Sequence, residues 1–150
     1  MSIQNSEKDA PATRIVDGRQ EIFDCLRRKY VALTPEETVR QAFVRFLIDK
    51  KQYPAGLMGN EIAITQNGRS RRCDTVVFDR QGNPLMIVEY KAAAVKVTQD
   101  VFNQIYRYNT VLRVRYLTVF NGRQLYCCRM DYDTNKAVFL ADVPDYDDLL

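Results

Sequence analysis

The stretch PLMIVEYK, residues 84–91, limits the folds open to this chain more than any other. Its apolar run does not alternate, and a strand apolar on both faces is buried on both faces, inside a sheet covered on each side. Glu89 and Lys91 follow directly from that run, where holding either charge is costly. The fold must therefore bring a carboxylate and an ammonium to the end of a central strand.

The neighbouring sequence supplies the rest of the sheet. EIAITQ alternates, Asn67-Gly68 is a hairpin signal, and RSRRCDTVVFD resumes as strand. Arg80-Gln81-Gly82-Asn83 then forms a four-residue turn into the central strand, with Pro84 at its start. Upstream, Thr34, Pro35 and Glu37 make a capping box with the proline at the first helical position. Val39, Phe43, Phe46, Leu47 and Lys50 continue a helical stripe that ends near Lys51. Downstream, Thr98 caps a helix over residues 98–112, with Val101, Ile105, Tyr108 and Leu112 at helical spacing. Two strands around Asn121-Gly122 and a last strand, AVFLA, follow. The order is αβββαβββ, a mixed α/β (α+β) domain.

Residues 1–17 are polar and weakly patterned and read as loosely ordered; 18–33 read as a short strand or irregular packing segment. The folded domain is expected over 18–141, with 142–150 as an acidic tail. A chain of 150 residues fits one domain. The formal charge of +3 hides an asymmetry: residues 131–150 carry −5, leaving +8 on the remainder, a basic body that suits a polyanion. No apolar run approaches the roughly 18 residues of a membrane span and no signal peptide is legible, so the default expectation is a cytoplasmic protein without membrane contact.

Histidine is absent, which excludes histidine-ligated zinc and every nucleophilic or nuclease site that depends on an imidazole base. Cys25, Cys73, Cys127 and Cys128 have no metal-binding spacing and read as free, partly buried thiols. Hydrolysis by such a chain falls to carboxylates, lysine and an oxygen-loving metal. The second hairpin offers these groups: antiparallel register places Asp74 opposite Glu89, with Cβ atoms about 5 Å apart, and Lys91 shares their face. Opposed carboxylates repel unless a cation lies between them. Mg²⁺ or Mn²⁺ held by Asp74, Glu89 and the backbone carbonyl of Tyr90 resolves the repulsion, with Lys91 beside the attacking water or the developing charge. Arg69, Arg71, Arg72, Lys96 and Arg107 lie where they could bind flanking phosphates.

This D-x14-E-x-K pattern resembles the catalytic core of the PD-(D/E)XK, or restriction endonuclease-like, nuclease superfamily. Gln104-Ile105-Tyr106-Arg107-Tyr108 fits the Q-x-x-x-Y helix motif of some branches. RRKYVALTPEETVRQ, RCDTVVF and IVEYKAA, with that helix, resemble the N-terminal nuclease domain of type I restriction enzyme R subunits in a free-standing form, over roughly residues 20–130. The resemblance implies a mixed sheet flanked by helices and metal-dependent cleavage of nucleic acid, with DNA preferred over RNA. It makes Asp74 and Glu89 metal ligands, Lys91 the catalytic lysine, Gln104 and Tyr108 a supporting pair, and Glu37 the helix acid. Nucleases of this fold often cut both strands as homodimers. Cys73 stands where the superfamily often has proline, and the free-standing reading carries the expectation of a domain without a helicase motor. The plainer reading is a cross-strand salt-bridged cluster on a catalytically inactive nucleic-acid or protein binding module.

Overall fold

The computed structural model describes residues 10–150, and the first departure from the sequence reading is at their start. A three-stranded antiparallel sheet replaces the expected loose and irregular segments: β1 (Thr13–Val16), β2 (Arg19–Asp24) and β3 (Lys29–Ala32). All four residues of β1 are exposed, so it carries no burial alternation to read. The signal present was the turn: Asp17 and Gly18 both have positive φ, the Asp-Gly geometry of a two-residue hairpin. Residues 1–9, within the expected loose segment, lie outside the described residues.

Helix α1 (Pro35–Lys51) starts as the capping signal predicts, the Thr34 hydroxyl accepting from the Glu37 amide at 3.1 Å. Glu37 does not complete the capping box, because arginines and a glutamine take its carboxylate instead. Phe43, Val44 and Leu47 are fully buried against one face of the main sheet, each contributing roughly 1.5–3 kcal/mol.

That sheet has six strands in chain order: β4 (Met58–Gln66), β5 (Arg69–Phe78), β6 (Pro84–Tyr90), β7 (Tyr116–Phe120), β8 (Leu125–Asp131) and β9 (Lys136–Leu140). All neighbours are antiparallel except β6 and β7, which are parallel and joined across the opposite face by α2 (Gln99–Thr110). With α1 on one face and α2 on the other, β6 is buried on both, as its unbroken apolar run requires. From α1 onward the order is the expected αβββαβββ. Thr98 caps α2, but the buried face is Phe102, Ile105 and Asn109, followed by Leu112. Tyr108, expected within the apolar stripe, is 53% exposed.

Two backbone irregularities shape the site. The second hairpin loop is longer than expected: Phe78 pairs with Pro84, and Asp79 closes the loop by accepting from the Gln81 and Asn83 amides. A register shift between Val77 and Phe78 absorbs the extra residue, so Thr75 still pairs with Val88. In β4, Glu61 adopts φ 58°, which breaks the side-chain alternation and puts Ile62 on the face of Gly59. A Cβ on residue 59 would stand 2.8 Å from the Ile62 side chain, so any larger residue there would have to displace Ile62.

Residues 142–150 are no appended tail. Val143, Tyr146 and Leu149 enter the α1-side core, Tyr53 donates to the Pro144 carbonyl at 2.8 Å and Tyr146 to that of Phe78 at 2.9 Å. The acidic residues between them project outward, which is why the segment reads as a tail. All four cysteines are free thiols, and among the described residues no helix is long and apolar enough to cross a membrane.

Candidate active site

Asp74 and Glu89 meet where β5 and β6 part. One step beyond the Thr75–Val88 pair Asp74 comes abreast of Glu89, and its Oδ2 accepts from the Tyr90 amide at 2.9 Å. The Tyr90 side chain turns to the α1 face, where its hydroxyl donates to Thr75 at 2.9 Å. Thr75 donates to Asn60 at 2.7 Å and Asn60 to Asp24 at 2.9 Å, a buried chain that ties the small sheet to the site strands. Every link is satisfied, so the chain makes the local backbone rigid.

On the α2 face, Asp74, Glu89 and Lys91 line one open cavity of about 280 Å³, with Arg71, Gln104 and Tyr108 around it. Glu89 is buried, and burial, the neighbouring charge of Asp74 and hydrogen bonding to it push its carboxyl up to about 8, against a smaller opposing pull from Arg71. The Glu89 ion pair is with Arg71, at 3.2 Å, and not with Lys91. The plainer reading, a cross-strand salt-bridged cluster of Asp74, Glu89 and Lys91, is met only in part: the cross-strand ion pair at Glu89 comes from Arg71 of β5. An acid raised in this way contributes stability that is complete below about pH 4.5 and lost as pH rises toward 8. Thermal unfolding in EDTA should therefore show a stability decline across that range, and Glu89→Gln should flatten it; an unchanged slope would contradict the burial of this acid.

The acid facing this cavity from α1 is Glu36, exposed in the first helical turn, and not Glu37. Glu37 lines an adjoining cavity of about 210 Å³ with Arg40, Glu61 and Asp74. Arg40 clamps Glu37 through two nitrogens at 3.1 and 2.5 Å, and Gln41 and Arg27 add further bonds. Burial alone would raise the Glu37 carboxyl, but these bonds outweigh it and hold it below its usual range. With both oxygens engaged, Glu37 is a structural anion. Arg40 also reaches Glu61 at 2.8 Å and the Asp74 carbonyl at 2.9 Å, connecting α1, β4 and β5 beside the site. Glu61 is met in addition by Arg72 at 3.0 Å.

Glu36, Arg40 and Glu61 carried no signal legible in sequence: adjacent acids opened the helix, a helical arginine reads as solvated, and the positive φ at Glu61 is hidden. Of the five basic residues expected beside flanking phosphates, Arg71 alone lines the central cavity. Arg69 lies with Ser70, Tyr108 and Val111 in a neighbouring hollow, Arg107 in another with Asp100, Gln104 and Tyr108, and Arg72 is engaged by Glu61. Lys96 is exposed in the segment before α2 and lines none of these hollows.

The chain matches the family model of the type I restriction enzyme R protein N terminus (HSDR_N) over residues 35–144, from the first turn of α1 to the C-terminal segment. It belongs to that family. Among solved structures, one described as a fragment of an HsdR subunit of a type I restriction enzyme from Vibrio vulnificus YJ016 superposes with a TM-score of 0.55 at 21% identity. The match covers 78% of this chain and 24% of that one, and it shows the shared fold. A DrdV–DNA complex is a more distant likeness, with a TM-score of 0.47 at 18% identity over 77% of this chain and 11% of that one, too low to carry argument. No curated protein matches the chain.

Proposed function

We propose that the domain hydrolyses phosphodiester bonds of nucleic acid, DNA by family, with a divalent cation held by Asp74 and Glu89. The observation that carries this reading is the buried Glu89 set beside Asp74 in an open cleft, with Lys91 on the same wall. Two adjacent oxygen donors short of positive charge fit Mg²⁺ or Mn²⁺. Among the described residues no three His, Cys, Asp or Glu side chains group to hold a metal. The rest of the coordination would thus fall to the Tyr90 carbonyl, water and the substrate. When bound, such a cation lowers the pKa of water and stabilises charge on phosphorus.

This chain's residues do the remaining work. Lys91, on the strand end that its amide secures to the Phe120 carbonyl at 3.0 Å, places its ammonium beside the phosphate and the attacking water. Gln104 and Tyr108, one turn apart on α2, orient substrate across the cleft. Glu36 faces the cleft and is the α1 acid able to hold a water there. Purified protein should nick supercoiled plasmid with MgCl₂ or MnCl₂ and leave it intact in EDTA, and Glu89→Gln should be inactive. DNA binding that ignores EDTA, with no cleavage under any cation, would overturn the proposal in favour of a binding module.

A further inference from the structure

Arg71 stands three residues before Asp74 on β5, and its Nη2 donates to Glu89 Oε1 at 3.2 Å. Charge-assisted bonds of this type usually span about 2.7–2.9 Å, so the contact is a loose one. Nε and Nη2 form one edge of a guanidinium, the edge that grips a carboxylate or phosphate with two parallel bonds. Here only half of that edge is used: the Arg71 Nε is buried and has no acceptor. The guanidinium also lies over the Tyr108 ring, 5.2 Å from its centroid, at the wall between the central cavity and the hollow lined by Arg69 and Ser70. A stacked, half-engaged fork at the mouth of a cleft is poised to take a tetrahedral anion.

Glu89 can satisfy Arg71 only while nothing else neutralises it. A cation on Glu89 removes the attraction that holds the guanidinium and adds like charge within a few ångströms. We propose that Arg71 is an exchangeable counter-ion: it neutralises Glu89 while no divalent cation is bound, and passes its Nε/Nη2 edge to a nucleic-acid phosphate once one is. This rests on the reading that Asp74 and Glu89 hold the cation. Cation and nucleic acid then bind cooperatively through one side chain, and Tyr108 supports the guanidinium in both positions.

Calcium chloride titrations by calorimetry without DNA, and fluorescence anisotropy of a short labelled duplex with calcium or EDTA, test the exchange on wild type, Arg71→Ala, Arg71→Lys and Asp74→Ala. In wild type, calcium should raise duplex affinity by about 5- to 150-fold, the usual span of such coupling. Arg71→Ala should bind calcium severalfold more tightly without DNA and lose most of the calcium-dependent gain. Arg71→Lys, which keeps the charge without the fork, should recover the wild-type calcium affinity but not the gain. Wild-type calcium affinity together with an undiminished gain in Arg71→Ala would overturn the exchange. Calcium binding unaffected by Asp74→Ala would instead overturn the cation site itself.

Discussion

Lys91→Ala should reduce metal-dependent nicking by about 100- to 1,000-fold, the loss typical of removing one group that stabilises transition-state charge. The fold should survive, because the strand end is held by the Lys91 amide to the Phe120 carbonyl and by the Tyr90 amide to Asp74, neither of which involves the Lys91 side chain. Glu89 pairs with Arg71, so losing the ammonium leaves no carboxylate stranded. Circular dichroism and the thermal midpoint should match wild type. Initial nicking rates, measured on protein free of contaminating nuclease, decide the matter: a rate within a few-fold of wild type would remove Lys91 from the mechanism.

Arg40→Ala should cost about 3–5 kcal/mol of stability, because it strands buried charge rather than because the pair itself is strongly stabilising. Arg40 and Glu37 are each 7% exposed, and the lost guanidinium also served Glu61 and the Asp74 carbonyl. Replacing both partners, Glu37→Leu with Arg40→Met, should recover much of the loss, as apolar replacement of buried pairs often does. The pH dependence has a defined sign. Glu37 is held below its usual range, so its contribution is present above about pH 4.5 and lost as pH falls through the lowered value. Urea unfolding of Arg40→Ala should therefore show a flatter acid limb than wild type; an equally steep limb and a cost under about 1 kcal/mol would place the stability elsewhere.

The features legible in the sequence were those with local causes. Thr34 and Thr98 cap the two helices with their own hydroxyls, and Asn67-Gly68 turns the first hairpin of the main sheet because both residues take positive φ. The apolar run of β6 demanded cover on both faces and received it from α1 and α2. The meeting of Asp74 with Glu89 was legible through hairpin counting, although the loop is a residue longer than counted and a bulge restores the register. What escaped depends on contacts distant in sequence. β1 has no buried residue to betray it, and Val143, Tyr146 and Leu149 are spaced among acids that disguise a core segment as a tail. Glu36 and Glu37 are indistinguishable until Arg40 claims one of them, and Glu61 joins the group only through its left-handed backbone.

The central claim is that Asp74 and Glu89 together hold a divalent cation. Isothermal calorimetry of manganese chloride into EDTA-treated wild type, Asp74→Ala and Glu89→Gln measures it directly. The account predicts a saturable site in wild type and none in either variant, with all three proteins folded. Equal manganese affinity in wild type and both variants would contradict it.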